Sequence, residues 1–115
     1  MSNKLLYLLE GSMYCREWKA KCPKSFEKGF IEYLYQTGIK DTSKTIGFKG
    51  AQILSRDVGE KVEITLNSYW ESLECIKSFA GKNITKAKLY PEDHKYDLEP
   101  NEYVNHYKVI ENQWR

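Results

Sequence analysis

The chain has 115 residues, with 18 lysines and arginines against 16 acids and a net charge of +2. That length suits one domain with a small core. So even a charge balance excludes the basic stripe needed to follow a phosphate backbone, and the nine tyrosines are not interleaved with a Lys/Arg cluster.

Residues 1–12 hold the apolar run Leu5-Leu6-Tyr7-Leu8-Leu9. This is far short of the roughly 18 residues a membrane span needs, and no convincing cleavage site follows it. Met13 is itself a usable start. Residues 1–12 therefore read as an N-terminal extension, and 13–115 as a single domain with no membrane association.

From Met13 to Cys22 the chain alternates. Tyr14, Trp18, Ala20 and Cys22 lie on one side and Glu17, Lys19 and Lys21 on the other, which predicts a half-buried strand. Arg16 alone breaks the pattern. Pro23 suits the first turn of a helix, and Phe26, Phe30, Tyr33 and Leu34 then share one helical face. Gly38 is placed to end that helix, and the polar residues 39–46 predict a loop. Phe48 to Arg56 and Lys61 to Trp70 predict a strand pair joined by Asp57-Val58-Gly59-Glu60. Leu73, Ile76, Phe79 and Ala80 mark a short helix closed by Gly81. Its N-cap is either Ser72, with Glu74 in the first turn, or Ser68, with Glu71 completing a capping box. Ile84 to Leu89 suit a helical turn, Pro91 and Pro100 bracket an irregular stretch, and Glu102 to Ile110 predict a last strand.

The order strand, helix, strand, strand, helix, strand predicts an α+β fold of ferredoxin-like type. It is βαββαβ, with a four-stranded antiparallel sheet and both helices on one face. The other face still carries aromatic and aliphatic groups, which predicts a homodimer packed through the sheet face.

Three cysteines leave an odd count, and Cys15 and Cys22 would lie roughly 23 Å apart along an extended strand at about 3.3 Å per residue. They cannot pair there. Reduced thiols and a cytoplasmic location are the plainest expectation. Two distant histidines with no Cys/His cluster predict no protein-bound metal.

The run Trp70-Glu71-Ser72-Leu73-Glu74-Cys75-Ile76-Lys77-Ser78-Phe79-Ala80-Gly81 resembles the strand end and helix of the antibiotic biosynthesis monooxygenase-like proteins. Their pattern is Trp-x-Ser-x-x-x-(Ile/Phe)-x-x-Phe. Gly47-Phe48-Lys49-Gly50-Ala51 resembles their entry to the second strand, with Ile46 where proline is usual, and Val104-Asn105-His106-Tyr107-Lys108-Val109 resembles their last strand. The likeness spans roughly residues 13–110. It implies a dimeric α+β barrel with a pocket in each barrel for a small-molecule ligand. Some members oxygenate electron-rich phenolic or anthrone-type compounds with no metal or flavin, and others degrade haem. The haem-degrading branch carries a histidine after the tryptophan helix. Here that stretch reads Thr85-Lys86-Ala87-Lys88-Leu89, with His94 only beyond Pro91.

The implied function is a cofactor-independent monooxygenase for a small, planar, electron-rich substrate. The alternatives are a non-catalytic small-molecule-binding or stress-related barrel protein, or a haem-binding relative. An oxygenase of this kind needs a base, donors for an oxyanion, and walls that exclude water. His106 is the candidate base, because imidazole titrates near neutrality. Asn67, on the more polar parity of its strand, is the candidate donor to a carbonyl or dioxygen. Trp70 shares parity with Val62, Ile64 and Leu66, so it either plugs the core or walls the pocket. Phe79 and Tyr107 complete the expected pocket lining. Each of these also has a structural reading, as core, interface or solvent-facing group.

Overall fold

The computed structural model describes residues 13–114. The extension expected at 1–12 lies outside the described residues. Strand β1 (Tyr14–Pro23) leads through a 3-10 turn (Lys24–Phe26) into helix α1 (Glu27–Leu34), which runs on without a break through a π-helical turn (Tyr35–Ile39) into α2 (Lys40–Ser43). Strands β2 (Phe48–Val58) and β3 (Lys61–Trp70) form a hairpin, and α3 (Leu73–Ala80) follows. An irregular segment then carries a 3-10 turn (Asp93–Tyr96) to two short strands, β4 (Glu99–Pro100) and β5 (Asn105–Lys108).

The sheet is antiparallel in the order β2-β3-β1, and both β4 and β5 pair with the free side of β1. The two together form one interrupted fourth strand, so the order is that of the ferredoxin-like fold. Register places Trp18 opposite Leu66, Ala20 opposite Ile64 and Cys22 opposite Val62. These pairs point at the helices and meet Phe30, Tyr33 and Leu34 of α1 and Val104 in the main core. Trp18 stacks on Phe30 with centroids 6.1 Å apart, and Tyr96 closes on Phe30 at 5.6 Å. A second aromatic group, Phe48, Trp70 and Phe79, fills the space under α3 with centroids 5.6 and 5.7 Å apart.

Four local expectations change. Pro23 ends β1 rather than opening a helix proper. Gly38 does not stop the first helix. It sits buried in the π-turn, where an added Cβ would lie 3.5 Å from both Leu34 and Leu66. The helix continues past it, and hydroxyls along it bond back to its own carbonyls: Thr37 to Tyr33 at 2.8 Å and Thr42 to Ile39 at 2.9 Å. These residues look loop-like in sequence because their polarity conceals this back-bonding. Ile84 to Leu89 is irregular, with Lys86 bridged to Tyr103. The last strand, expected over 102–110, is regular only over Asn105–Lys108.

Between the candidate N-caps of α3 the structure selects Ser72, whose Oγ accepts from the Cys75 N–H at 3.2 Å. Gly81, at φ 91°, closes the helix. Gly47 is required where it stands. Its φ is 93°, and a Cβ there would lie 2.2 Å from the Cys75 Sγ.

The face of the sheet away from the helices is mixed rather than apolar. Lys19 bonds Thr65 at 3.1 Å, Arg56 bonds Glu63 at 2.8 Å and Tyr69 donates to Gln52 at 3.0 Å. Leu54 and Tyr107 are exposed there. No helix among the described residues is long and apolar enough to cross a membrane.

Candidate functional site

Arg16 organises the site. Its parity on β1 is that of Trp18, Ala20 and Cys22, so the residue that interrupts the apolar alternation points into the core, where it is only 3% exposed. Burying a charge without partners costs several kcal/mol (order of magnitude). Here the irregular segment supplies them. Nη1 donates to the Ile84 carbonyl at 2.6 Å and to His106 Nε2 at 3.1 Å, and Nη2 donates to the Lys86 carbonyl at 3.1 Å. Among the described residues no carboxylate pairs with it. Burial lowers its pKa to about 10, so the guanidinium remains charged at neutral pH.

The guanidinium borders a cavity of about 30 Å³ between the sheet and the helices, room for two or three ordered waters at about 10–15 Å³ each. Trp18, Leu34 and Leu66 from the main core and Phe79 from the second aromatic group give it apolar walls. Its polar groups, besides Arg16, are Thr42, Ser68, Lys88, Tyr90 and Asp93.

Lys88, Tyr90 and Asp93 are tied together, the first two through Asp41. Tyr90 donates to Asp41 Oδ2 at 2.5 Å, and the Lys88 ammonium reaches the same carboxylate at 3.5 Å and the Phe79 carbonyl at 3.2 Å. Lys88 Nζ also stands 4.5 Å from the Phe79 ring centroid, close enough for a cation–π contact. The Tyr90 hydrogen bond holds the Asp41 carboxyl below its usual range, while burial and Asp41 push the Tyr90 phenol well up. Asp93 accepts the Tyr90 N–H at 2.8 Å, yet burial outweighs that bond and raises its pKa. One donor is unsatisfied: the Trp18 indole N–H is buried with no partner, a deficit of about 1–3 kcal/mol.

The residues singled out from sequence fall into five places. Phe79 is a wall of the cavity. Trp70 is fully buried one layer behind it, stacked on Phe79, with its indole N–H donated to Ser68 Oγ at 2.9 Å. His106 reaches the site through Arg16. Because a guanidinium only donates, His106 Nε2 accepts and the ring carries its proton on Nδ1. Burial and the neighbouring Arg16 charge lower its pKa. Asn67 and Tyr107 stand on the opposite face, flanking Glu17. Asn67 pairs in register with Glu17, and the Tyr107 hydroxyl donates to Glu17 at 3.4 Å. Asn67 Oδ1 is buried without a partner. His94 is exposed, with Nδ1 at 2.9 Å from the Pro91 carbonyl.

Sequence reasoning passed over Lys88, Tyr90 and Asp93, which lie in a stretch without periodicity. For Arg16 the signal was present: an arginine at a core position of an otherwise regular strand. Among the described residues no three His, Cys, Asp or Glu side chains gather as a metal site. The cavity's donors are a guanidinium, an ammonium and an indole, a set suited to oxygen anions.

No family model matches the chain, and no curated protein does. Among solved structures it is similar to a Bacillus cereus protein provisionally named an antibiotic biosynthesis monooxygenase. The TM-score is 0.63 at 18% identity, over 90% of this chain and 98% of that one. It is also similar to a conserved protein from Methanosarcina mazei Go1, with a TM-score of 0.58 at 15% identity, over 88% of this chain and 97% of that one. At these identities the likeness is one of fold, the ferredoxin-like α+β fold with its antiparallel sheet.

Proposed function

We propose that the chain is a cofactor-independent monooxygenase for a small, planar, electron-rich substrate held in the cavity between helices and sheet. The observation that supports this best is an acid and a buried cation on the walls of one largely apolar cavity, Asp93 and Arg16. Asp93, with its raised pKa, is the base that takes a proton from a phenol or an activated C–H. Arg16 stabilises the oxyanion that results, and His106 positions Arg16. Trp18, Leu66 and Phe79 keep bulk water away, and Trp70 supports Phe79 from behind.

The chemistry balances without a cofactor. A substrate methylene, or the ring CH2 of a phenol in its keto form, and dioxygen give a carbonyl and water: a C=O double bond forms, two C–H bonds and the O–O bond break, and the second oxygen leaves with the two hydrogens of that carbon. The substrate supplies all four electrons. Asn67 and Tyr107 belong in this reading to a homodimer interface on the open sheet face. Three free cysteines suit a reducing compartment such as the cytoplasm.

Oxygen uptake with a panel of phenols and anthrones tests the proposal. Asp93→Asn is expected to lower kcat/KM about 100-fold, in the range for loss of a general base. Uptake no faster than in Asp93→Asn across the panel would reject it.

A second reading, ligand binding without turnover, is favoured by the Tyr90 N–H that already occupies the Asp93 carboxylate. In either reading the cavity, at about 30 Å³, admits a planar ring system only if the irregular segment carrying Lys88, Tyr90 and Asp93 moves outward. Saturable binding of a phenol with no oxygen consumed would select this reading.

A further inference from the structure

We infer that the Arg16–Trp18 end of the cavity is a built site for a carboxylate-type oxyanion, so that the ligand is an acid or carries an acidic head. This rests on the cavity being the ligand site, as proposed above, and names the chemistry that the site selects.

Arg16 has five N–H donors. Two carbonyls and one imidazole occupy three of them, which leaves two for a ligand. Trp18 follows two residues later on the same face of β1, lines the same cavity and holds a buried N–H that nothing in the described protein accepts. Ser68 stands directly opposite Arg16 in the β1–β3 register. Its oxygen accepts from Trp70 Nε1 at 2.9 Å, so its own O–H is free to donate.

The site thus offers a buried cation, an unpartnered indole N–H and a hydroxyl proton. A carboxylate group, of three heavy atoms, matches both that donor set and a cavity with room for two or three waters. Lys88 adds a second positive charge on the cavity wall, largely matched by Asp41. Asp93 is the opposing charge on the same wall, held by the Tyr90 N–H. An anion is therefore confined to the Arg16–Trp18 end. A neutral amide of the same shape would bring an N–H against donors and lose the ion pair, and with it the bidentate fit, that a carboxylate makes with a guanidinium.

The experiment titrates the full chain with sodium acetate, against acetamide at matched ionic strength, following the Trp18 indole ¹⁵N–¹H resonance and calorimetric heats. Acetate is expected to bind at least 10-fold tighter than acetamide and to shift the Trp18 indole proton downfield. Trp18→Phe, which keeps an aromatic ring in the core, should weaken acetate several-fold, and Arg16→Gln should abolish its binding. Equal binding of acetate and acetamide, or acetate affinity unchanged in Trp18→Phe, would overturn the inference even if Arg16→Gln fails to fold.

A second pair, 4-hydroxybenzoate and 4-hydroxybenzyl alcohol, identifies the source of the anion. Tighter binding of the benzoate than of acetate assigns the site to the acidic head of a larger ligand. Binding of acetate alone assigns it to a free small acid. Acetate binding with no oxygen uptake from any phenol removes the oxygenase reading and leaves the anion site. Uptake from neutral phenols that acetate does not inhibit removes the anion site and leaves the oxygenase.

Discussion

Arg16 Nη1 and His106 Nε2 face each other at 3.1 Å across the β1–β5 pair, where the two residues are register partners. A protonated imidazole cannot accept that bond and would set two cations together. The folded state therefore keeps His106 neutral, and its pKa lies below the ordinary value of 6.5. The unfolded chain then binds the extra proton first as pH falls. Stability contributed by neutral His106 is fully present above about pH 6.5 and is lost on acidification through the window between that value and the lowered one. Histidine proton resonances should show His106 titrating below 6.5, and urea midpoints should fall across the same window. In His106→Gln that part of the pH dependence should disappear.

Ser68→Ala tests the buried contact beneath Phe79. It leaves the Trp70 indole N–H without its acceptor at a fully buried position. The expected cost is about 1–3 kcal/mol, read from urea unfolding. A loss below a few tenths would mean that water replaces the hydroxyl.

Gly47→Ala places a Cβ 2.2 Å from Cys75 Sγ at a backbone φ of 93°. Overpacking and backbone strain together predict a loss of about 2–4 kcal/mol. Cys75→Ala in the same chain should recover part of it, because the sulfur contact goes while the unfavourable φ and the 2.8 Å approach to the Cβ of residue 75 stay. Full recovery would show that neither the backbone nor that remaining contact is strained for alanine.

Ser72→Ala removes the one side-chain cap of α3. A loss of about 1 kcal/mol is expected, with no change in acetate binding, since Ser72 does not border the cavity. This variant serves as the stability-matched control for the cavity substitutions.

The open sheet face predicts a dimer. Light scattering coupled to size exclusion should give twice the chain mass, and Leu54→Asp, at an exposed position on that face, should shift the population toward monomer without lowering the unfolding midpoint of the isolated chain. A monomeric wild type at tens of micromolar would show that the mixed polar surface is simply solvated.

How far the sequence was legible depended on periodicity. β1 and β3 alternate because one face meets the helices, so the inward parity of Trp18, Ala20, Ile64, Leu66 and Trp70 could be read directly, while parity left Trp70 between core and pocket wall. The helix through Gly38 could not, because serine and threonine hydroxyls satisfy carbonyls in ways that look like turn chemistry. The cavity was the least legible part. Lys88, Tyr90 and Asp93 are placed by side-chain ties to Asp41 and by the backbone bonds Ala87 to Glu102 at 2.9 Å and Val104 to Thr85 at 2.8 Å. None of these contacts has a local pattern. That Asn67 and Tyr107 share the face away from the helices emerges only from the pairing of both β3 and β5 with β1.

The bonds from Arg16 to the Ile84 and Lys86 carbonyls join the first strand to the least regular part of the chain. The charge we propose to meet a ligand thus also fastens one wall of the cavity. A lineage that drifted away from arginine at this position would loosen that wall whether or not it bound anything. Selection for a stable fold alone would therefore keep a guanidinium in the cavity.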